Sequence, residues 1–202
     1  MYTLIGSPMN RTFRVLWALE ELEQPYTRQI EQPRSAAVCA LSPLGKVPIL
    51  LVDGEPVTDS VAILTYLADR HGGLTHPAGT LARARQDALT HQVLDEIEAL
   101  IWTAARHTFI LPEERRVPDI KPALRWEYEK NLTSLATRLA DQPYLAGEEM
   151  TVPDILALHC LNWAAAARFP EPPAPLAAYA ARLRARPGYK RAVTSEKTAQ
   201  AA

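Results

Sequence analysis

The sequence predicts an α/β domain in roughly the first third of the chain, followed by an all-helical domain in the rest. Two observations support this division. Short β-strand patterns alternate with helical patterns only before residue 72. The one segment with the composition of a linker, about residues 72–81, separates this region from a second part without strand patterns. We therefore place the domains at residues 1–75 and 82–202.

The 202 residues have the composition of an ordinary globular protein, with 48% hydrophobic and 22% charged residues. A formal net charge of −1 creates no field that would favour nucleic acid or a membrane surface as a partner. No apolar stretch reaches the roughly 18 residues that a membrane-spanning helix needs, and the N-terminus has no secretory pattern. The two cysteines, Cys39 and Cys160, lie far apart, so we expect a cytoplasmic protein without disulfides.

In the first domain the elements follow in the order strand, helix, strand, helix, strand, strand, helix. Short β-rich runs predict the strands, and apolar residues at helical spacing predict the helices. The predicted strands are residues 2–5, 26–30, 49–52 and 55–58, and the predicted helices are residues 11–22, 35–41 and 60–70. Helices arranged in this order against a small mixed sheet form a thioredoxin-like fold.

The last two of these strands form a hairpin within residues 42–60. Residues 49–52 are a short apolar run, and Asp53-Gly54 is a strong signal for a two-residue turn. The returning strand contains Pro56, which indicates that it lies at the edge of the sheet.

The residues on either side of the hairpin suit a peptide ligand. Pro48 donates no N–H, and if the Val47–Pro48 bond is cis, Val47 can offer its backbone N–H and C=O to an extended peptide. Asp59 and Ser60 stand at the start of the next helix, where free N–H groups and the helix dipole favour a carboxylate. A short peptide that carries a carboxylate fits this pattern, although a structural hairpin with an ordinary helix cap is the alternative.

The sequence Ser-Pro-Leu-Gly-Lys-Val-Pro-Ile-Leu, followed by Asp-Ser, resembles the glutathione-binding signature of the cytosolic glutathione transferases. The resemblance implies that Val47 and Pro48, joined by a cis peptide, pair with the cysteinyl part of glutathione. It also implies that Asp59 and Ser60 hold the γ-glutamyl carboxylate. Lys46 matches a position near the glycyl carboxylate.

Catalysis in this family requires a group that stabilises the thiolate of bound glutathione, and the turn at residues 7–12 faces the Val-Pro edge. This turn contains no cysteine and no tyrosine, so the resemblance implies a bacterial member of the Ser/Asn type rather than of the Cys type. Ser7 directly follows the strand, Asn10 stands where many bacterial members carry serine, and Thr12 is a third candidate. We expect Ser7 or Asn10 to contact the sulfur, unless either residue only caps the first helix.

The second domain is predicted to contain several helices and no strand. The predicted helices include residues 81–107, 118–140 and 176–186. Thr151 and Asp154 form a variant of the capping box before a helix that is apolar on nearly all sides. Beyond residue 189 the polar, alanine-rich chain is expected to fray.

The resemblance covers nearly all of residues 1–190 and implies an acceptor pocket beside the long helices of the second domain. The candidate acceptor residues are Trp102, Arg106, His107 and Phe109. The family implies a homodimer that uses glutathione as co-substrate, and the five histidines have no metal-binding spacing.

We expect a detoxifying transferase that conjugates glutathione to small hydrophobic electrophiles. One alternative is a catalytically weak glutathione-binding or regulatory protein of the same fold. The other is a glutathione-dependent peroxidase, isomerase or dehalogenase.

Overall fold

The computed structural model describes residues 1–201, which form two compact units. The α/β unit contains residues 1–78 together with the chain from Leu183 onward, and the helical unit contains residues 79–182. A small sheet with helices, followed by a helical part, confirms the predicted fold class. The predicted helical domain ran to residue 202, whereas the structure places the last helix in the α/β unit.

Four strands of four residues each form one mixed sheet in the α/β unit. The strands are β1 (Tyr2–Ile5), β2 (Tyr26–Gln29), β3 (Ile49–Val52) and β4 (Glu55–Thr58). Their order across the sheet is β2-β1-β3-β4, with β2 parallel to β1 and both other pairs antiparallel. The hairpin predicted around Asp53-Gly54 is present, and β4 lies at the edge of the sheet.

Helix α1 (Thr12–Glu21) forms the centre of this unit, because its apolar side chains from Val15 to Leu19 are completely buried. It packs against α3 (Ser60–His71) and α9 (Pro187–Ala201), and the short helix α2 (Ala36–Leu41) precedes β3. Burying this apolar face is the main contribution that α1 makes to stability.

The prediction that the chain frays beyond residue 189 is wrong, because these residues belong to α9. The ring of Tyr189 meets Trp17 and Phe13 edge to face, with centroids 5.0 and 5.5 Å apart. Arg186, just before the helix, binds the Glu21 carboxylate with an Nη2–Oε2 distance of 2.8 Å. Tertiary contacts therefore stabilise a helix whose own sequence shows no clear apolar stripe.

The helical unit begins with a long helix that contains two π-helical segments. It consists of α4 (Leu81–Gln92), a π-helical segment (Val93–Glu98), α5 (Ala99–Ala105) and a second π-helical segment (Arg106–Ile110). Two 3-10 turns (Glu113–Arg115 and Pro118–Ile120) lead to α6 (Lys121–Leu139), α7 (Val152–Ala166) and α8 (Ala174–Ala185). Within residues 1–201, no helix combines the length and the apolar character that a membrane crossing requires.

Candidate functional site

The register of the sheet brings three strand ends to one place. In the antiparallel pair of β1 and β3, Ile5 lies opposite Ile49, so the chain leaving β1 meets the chain entering β3. In the pair of β3 and β4, Ile49 lies opposite Thr58, so the chain leaving β4 reaches the same end of the sheet. The turn after β1, the loop before β3 and the start of α3 therefore lie side by side, and these segments carry most of the predicted site residues.

The loop before β3 presents an open stretch of backbone. The Val47–Pro48 peptide is cis, and the side chain of Val47 packs against a buried cluster of Ile5, Val38 and Ile49. No hydrogen bond to the backbone N–H or C=O of Val47 occurs within the part of the chain that the structure describes. Lys46, the residue before it, is exposed.

The start of α3 is capped by Asp59, which adopts φ 71°. Its Oδ1 accepts hydrogen bonds from the N–H groups of Val61 and Ala62 at 2.8 and 3.1 Å. The ordinary helix cap that the sequence offered as an alternative is thus present. The exposed carboxylate and the first turn of α3 also stand beside the open backbone of the loop, so the cap does not exclude a binding role.

Ser60, the first residue of α3, is 3% exposed. Its Oγ accepts a hydrogen bond from Nη1 of the buried Arg14 at 3.3 Å. Because a serine hydroxyl can accept and donate at once, this bond leaves the hydroxyl hydrogen available to a ligand. From the sequence we expect Arg14, an arginine inside an otherwise apolar helix face, to have a structural role, and its bond to Ser60 agrees with that expectation.

The turn after β1 joins Ser7 and Asn10. Nδ2 of Asn10 donates to Oγ of Ser7 at 2.7 Å, and Oδ1 of Asn10 accepts from the backbone N–H of Thr12 at 2.8 Å. The N–H of Thr12 can only donate, so the amide oxygen must face it and the amide nitrogen must face Ser7. The Asn10 side chain thus orients the Ser7 hydroxyl and caps α1 at the same time.

Thr12 is completely buried, and its Oγ1 has no hydrogen-bond partner within residues 1–201. The hydroxyl lies against Gly6, where an added Cβ would meet Oγ1 at 2.2 Å. This hydroxyl therefore packs against Gly6. Ser7 is also buried, at 4% exposed, but its hydroxyl is hydrogen-bonded to Asn10. Of the three candidate side chains, those of Ser7 and Asn10 are hydrogen-bonded to each other, whereas the Thr12 hydroxyl bonds to neither.

The candidate acceptor residues lie at the end of the long helix in the helical unit. The Trp102 ring is tilted by 55° against that of Trp163, with centroids 6.2 Å apart. Nδ1 of His107 accepts a hydrogen bond from the backbone N–H of Val117 at 3.0 Å, which gives His107 a local structural role. Phe109 is 63% exposed, and Arg106 begins the second π-helical segment.

Across residues 1–201, no group of three or more histidine, cysteine, aspartate or glutamate side chains is placed to hold a metal ion.

Two sequence profiles match the chain. The profile described as glutathione S-transferase, N-terminal domain, matches residues 9–70, and the one described as glutathione S-transferase, C-terminal domain, matches residues 97–187. The chain is also similar to glutathione S-transferase GstA of Escherichia coli O157:H7, with 30% identity over 161 residues. The matched part covers 78% of this chain and 77% of that protein.

The fold is also similar to those of two solved structures whose descriptions name glutathione S-transferases. The ternary complex of BphK, a bacterial GST, aligns with a TM-score of 0.85 and 25% identity, over 96% of this chain and 99% of that chain. The theta class glutathione S-transferase from the citrus canker pathogen Xanthomonas axonopodis pv. citri was solved with glutathione bound. It aligns with a TM-score of 0.78 and 27% identity, over 95% of this chain and 96% of that chain.

Proposed function

The chain belongs to the glutathione S-transferase family, and from that membership we propose that it conjugates the glutathione thiolate to small hydrophobic electrophiles. The observation that carries the proposal is the meeting of three segments at one end of the sheet. These are the open backbone at Val47, the capped start of α3 at Asp59, and the Ser7–Asn10 pair.

Glutathione binds as an added short strand along the loop before β3. The N–H and C=O of Val47 pair with the cysteinyl residue of glutathione, because both groups are open and lie next to the sheet. Asp59 and Ser60, at the start of α3, hold the γ-glutamyl end, and the exposed Lys46 meets the glycyl carboxylate. The bound sulfur then lies beside the turn after β1.

Ser7 donates its hydroxyl hydrogen to the sulfur, and Asn10 acts as the positioning residue. Because the Ser7 oxygen already accepts from Asn10, its own hydrogen points away from that bond. A hydrogen bond to a charged group contributes about 1.5–3 kcal/mol, and each pKa unit corresponds to about 1.4 kcal/mol. One such bond therefore lowers the pKa of the bound thiol by about one to two units from its usual value near 8.5.

The thiol loses its proton to solvent, and the sulfur lone pair attacks an electrophilic carbon of the acceptor. A carbon–sulfur bond forms, and the leaving group departs with the bonding electron pair. We place the acceptor beside Trp102, Arg106 and Phe109, as the family resemblance implies. We also propose that the protein is a cytoplasmic homodimer. Light scattering on the purified protein measures the mass of the assembly and tests for the dimer.

Retention on immobilised glutathione tests the binding site. Asp59→Ala removes the carboxylate and the α3 cap, and we expect about tenfold weaker binding, equivalent to about 1.4 kcal/mol. Glu55→Ala changes an exposed carboxylate on β4 and serves as the matched control, which should be retained like the wild type. Equal retention of the wild type and Asp59→Ala would refute the site.

Conjugation of a chloronitrobenzene tests the chemistry, because chloride leaves as the carbon–sulfur bond forms. We expect Ser7→Ala to lower kcat about 10- to 100-fold near neutral pH, in line with the loss of one hydrogen bond to a thiolate. Asn10→Ala should lower kcat by a smaller factor, since it removes the orienting bond and not the donor. Unchanged turnover in Ser7→Ala would show that another group stabilises the sulfur.

The same two assays separate the alternatives. A glutathione-binding or regulatory protein would be retained on the resin and would show no turnover with several acceptors. A peroxidase, isomerase or dehalogenase would be retained equally and would turn over its own class of substrate in place of chloronitrobenzene.

A further inference from the structure

We propose that Glu196, on the last helix of the chain, is a positioning residue for the thiolate-binding turn. The proposal rests on the function proposed above, in which Ser7 and Asn10 act on the sulfur. It extends the site to α9, which the sequence had left outside any role. Everything that carries it lies within the α/β unit.

Glu196 reaches the middle of the turn directly. Its Oε1 accepts a hydrogen bond from the backbone N–H of Met9 at 2.7 Å. Met9 stands between Ser7 and Asn10 and adopts φ 64°, a conformation that residues other than glycine rarely adopt. The Met9 side chain is 86% exposed, so side-chain packing does little to hold this residue in place. The bond to Glu196 is therefore what anchors the centre of the turn.

The second oxygen of Glu196 is fixed by Arg28 of β2. Nη2 of Arg28 donates to Oε2 at 3.1 Å, and its Nη1 donates to the carbonyl of Ser195 at 3.0 Å. The side chains of Arg28 and Glu196 are only 12% and 10% exposed, so solvent screens the pair little. β2 lies directly beside β1, the strand that leads into the turn. The carboxylate thus links the sheet, α9 and the turn through both of its oxygens.

Two ion pairs, one just before the start of α9 and one within it, hold the helix in place without touching the turn. Arg186 binds Glu21 and Arg191 binds Glu20, each at 2.8 Å, and both glutamates lie at the far end of α1. The pair of Arg191 and Glu20 therefore offers a matched control. Breaking it loosens α9 on α1 and leaves the bond between Glu196 and Met9 intact.

The test compares two variants that carry the same charge and differ only in whether residue 196 offers an oxygen acceptor to the Met9 N–H. Arg28→Met is combined either with Glu196→Gln, which keeps an oxygen acceptor, or with Glu196→Leu, which has a similar size and no acceptor. Both double variants lack the ion pair, so any direct effect of charge on the sulfur is common to them. The apparent pKa of bound glutathione is measured from the ultraviolet absorbance of its thiolate, and kcat and KM are measured as functions of pH.

We expect the pKa of the glutathione thiol to be higher in the double variant with Glu196→Leu than in the one with Glu196→Gln. At pH values below that pKa, kcat of the Glu196→Leu variant should be about tenfold lower, because a misplaced Ser7 hydroxyl loses most of its effect on the sulfur. The KM for glutathione should change by less than about threefold, since Val47 and Asp59 lie on other segments. Arg191→Ala should leave the thiol pKa unchanged. Equal thiol pKa values in the two double variants, or an equal shift in Arg191→Ala, would overturn the proposal.

Amide hydrogen exchange of residues 6–11 gives a second readout that does not depend on catalysis. Exchange should be faster in the double variant with Glu196→Leu than in the one with Glu196→Gln. If the double variants do not fold, the single variants are compared instead, and exchange should be faster in Glu196→Ala than in Arg191→Ala. If the wild type fails to bind glutathione, the proposed function fails, and the exchange data still decide whether Glu196 holds the turn. Equal exchange in each compared pair would refute the anchoring role.

Discussion

Between β1 and α1, the side-chain nitrogen of Asn10 lies 2.7 Å from the hydroxyl oxygen of Ser7. The sequence offered these residues as alternatives, because each is a polar side chain in the same turn. Because the two side chains are in contact, they can act together, with the Ser7 hydroxyl as the proposed donor to the sulfur and the Asn10 amide as the group that orients it. Thr12, the third candidate, has its hydroxyl buried against Gly6 instead.

Thr12→Val tests this distinction between the hydroxyl groups. Valine has nearly the same shape, and the Oγ1 that it replaces has no hydrogen-bond partner within residues 1–201. Replacing an unsatisfied buried hydroxyl with a methyl group should leave stability unchanged or raise it by up to about 1 kcal/mol. Urea denaturation measures the stability, and chloronitrobenzene conjugation measures the activity.

We expect the activity of Thr12→Val to stay within about twofold of the wild type, because a buried hydroxyl without a partner contributes little to the site. Ser7→Ala provides the comparison in the same assay. A loss of turnover in Thr12→Val as large as that in Ser7→Ala would identify Thr12 as a donor to the sulfur.

Helix α7 begins with a complete capping box. Asp154 is fully buried and accepts from the N–H groups of Leu145 and Thr151 at 2.9 and 2.8 Å. It also accepts from the hydroxyl of Tyr179 on α8 at 2.7 Å. Burial raises the pKa of Tyr179 well above its usual value, so this hydroxyl stays protonated and donates. The capping box predicted from Thr151 and Asp154 is present and also joins α7 to α8.

Asp154→Ala should destabilise the protein by about 2–4 kcal/mol, because it leaves several buried donors without an acceptor. Urea denaturation followed by circular dichroism measures the loss. Glu149→Ala, an exposed change close to the same helix start, should cost less than about 0.5 kcal/mol. A small loss in Asp154→Ala, comparable with that control, would contradict the structural role given to this carboxylate.

Across the whole molecule, the chain closes its α/β unit with residues from both ends of the sequence. Glu21 on α1 accepts from the indole nitrogen of Trp17 at 2.8 Å and binds Arg186, with Nε–Oε1 and Nη2–Oε2 distances of 3.0 and 2.8 Å. In the pair with Arg186, the Glu21 side chain is 7% exposed and the arginine is 31% exposed. In the pair of Arg191 and Glu20, the glutamate is 17% exposed and the arginine is 46% exposed. The pair with Arg186 is therefore the more buried of the two.

Arg186→Ala should cost about 2–3 kcal/mol in the free energy of unfolding, because it removes both N–H groups that Arg186 donates to the buried Glu21 carboxylate. Arg191→Ala should cost less than about 1 kcal/mol, since exposed ion pairs contribute little. Urea denaturation of both variants and the wild type checks the order. Equal losses would mean that burial of Glu21 does not control the strength of this contact.

Elements with local signals could be predicted from the amino-acid sequence alone. Helical and strand periodicities predicted the fold class, the Asp53-Gly54 turn predicted the hairpin, and Thr151 with Asp154 predicted the cap of α7. The signature around Val47 led to the family, because the backbone of a short peptide is recognised by a contiguous stretch of chain. Each of these features depends on residues that lie within a few positions of one another.

The contacts between distant groups at the candidate site could be found only in the folded structure. Ser60 accepts from Arg14, 46 positions away, and Met9 donates to Glu196, 187 positions away. A polar tail carries no local pattern that identifies such a partner, so the sequence predicted fraying where the structure has a helix. The physical reason is that α9 is stabilised by burial and hydrogen bonding against the surface of α1 and the sheet, and that surface exists only once the chain has folded.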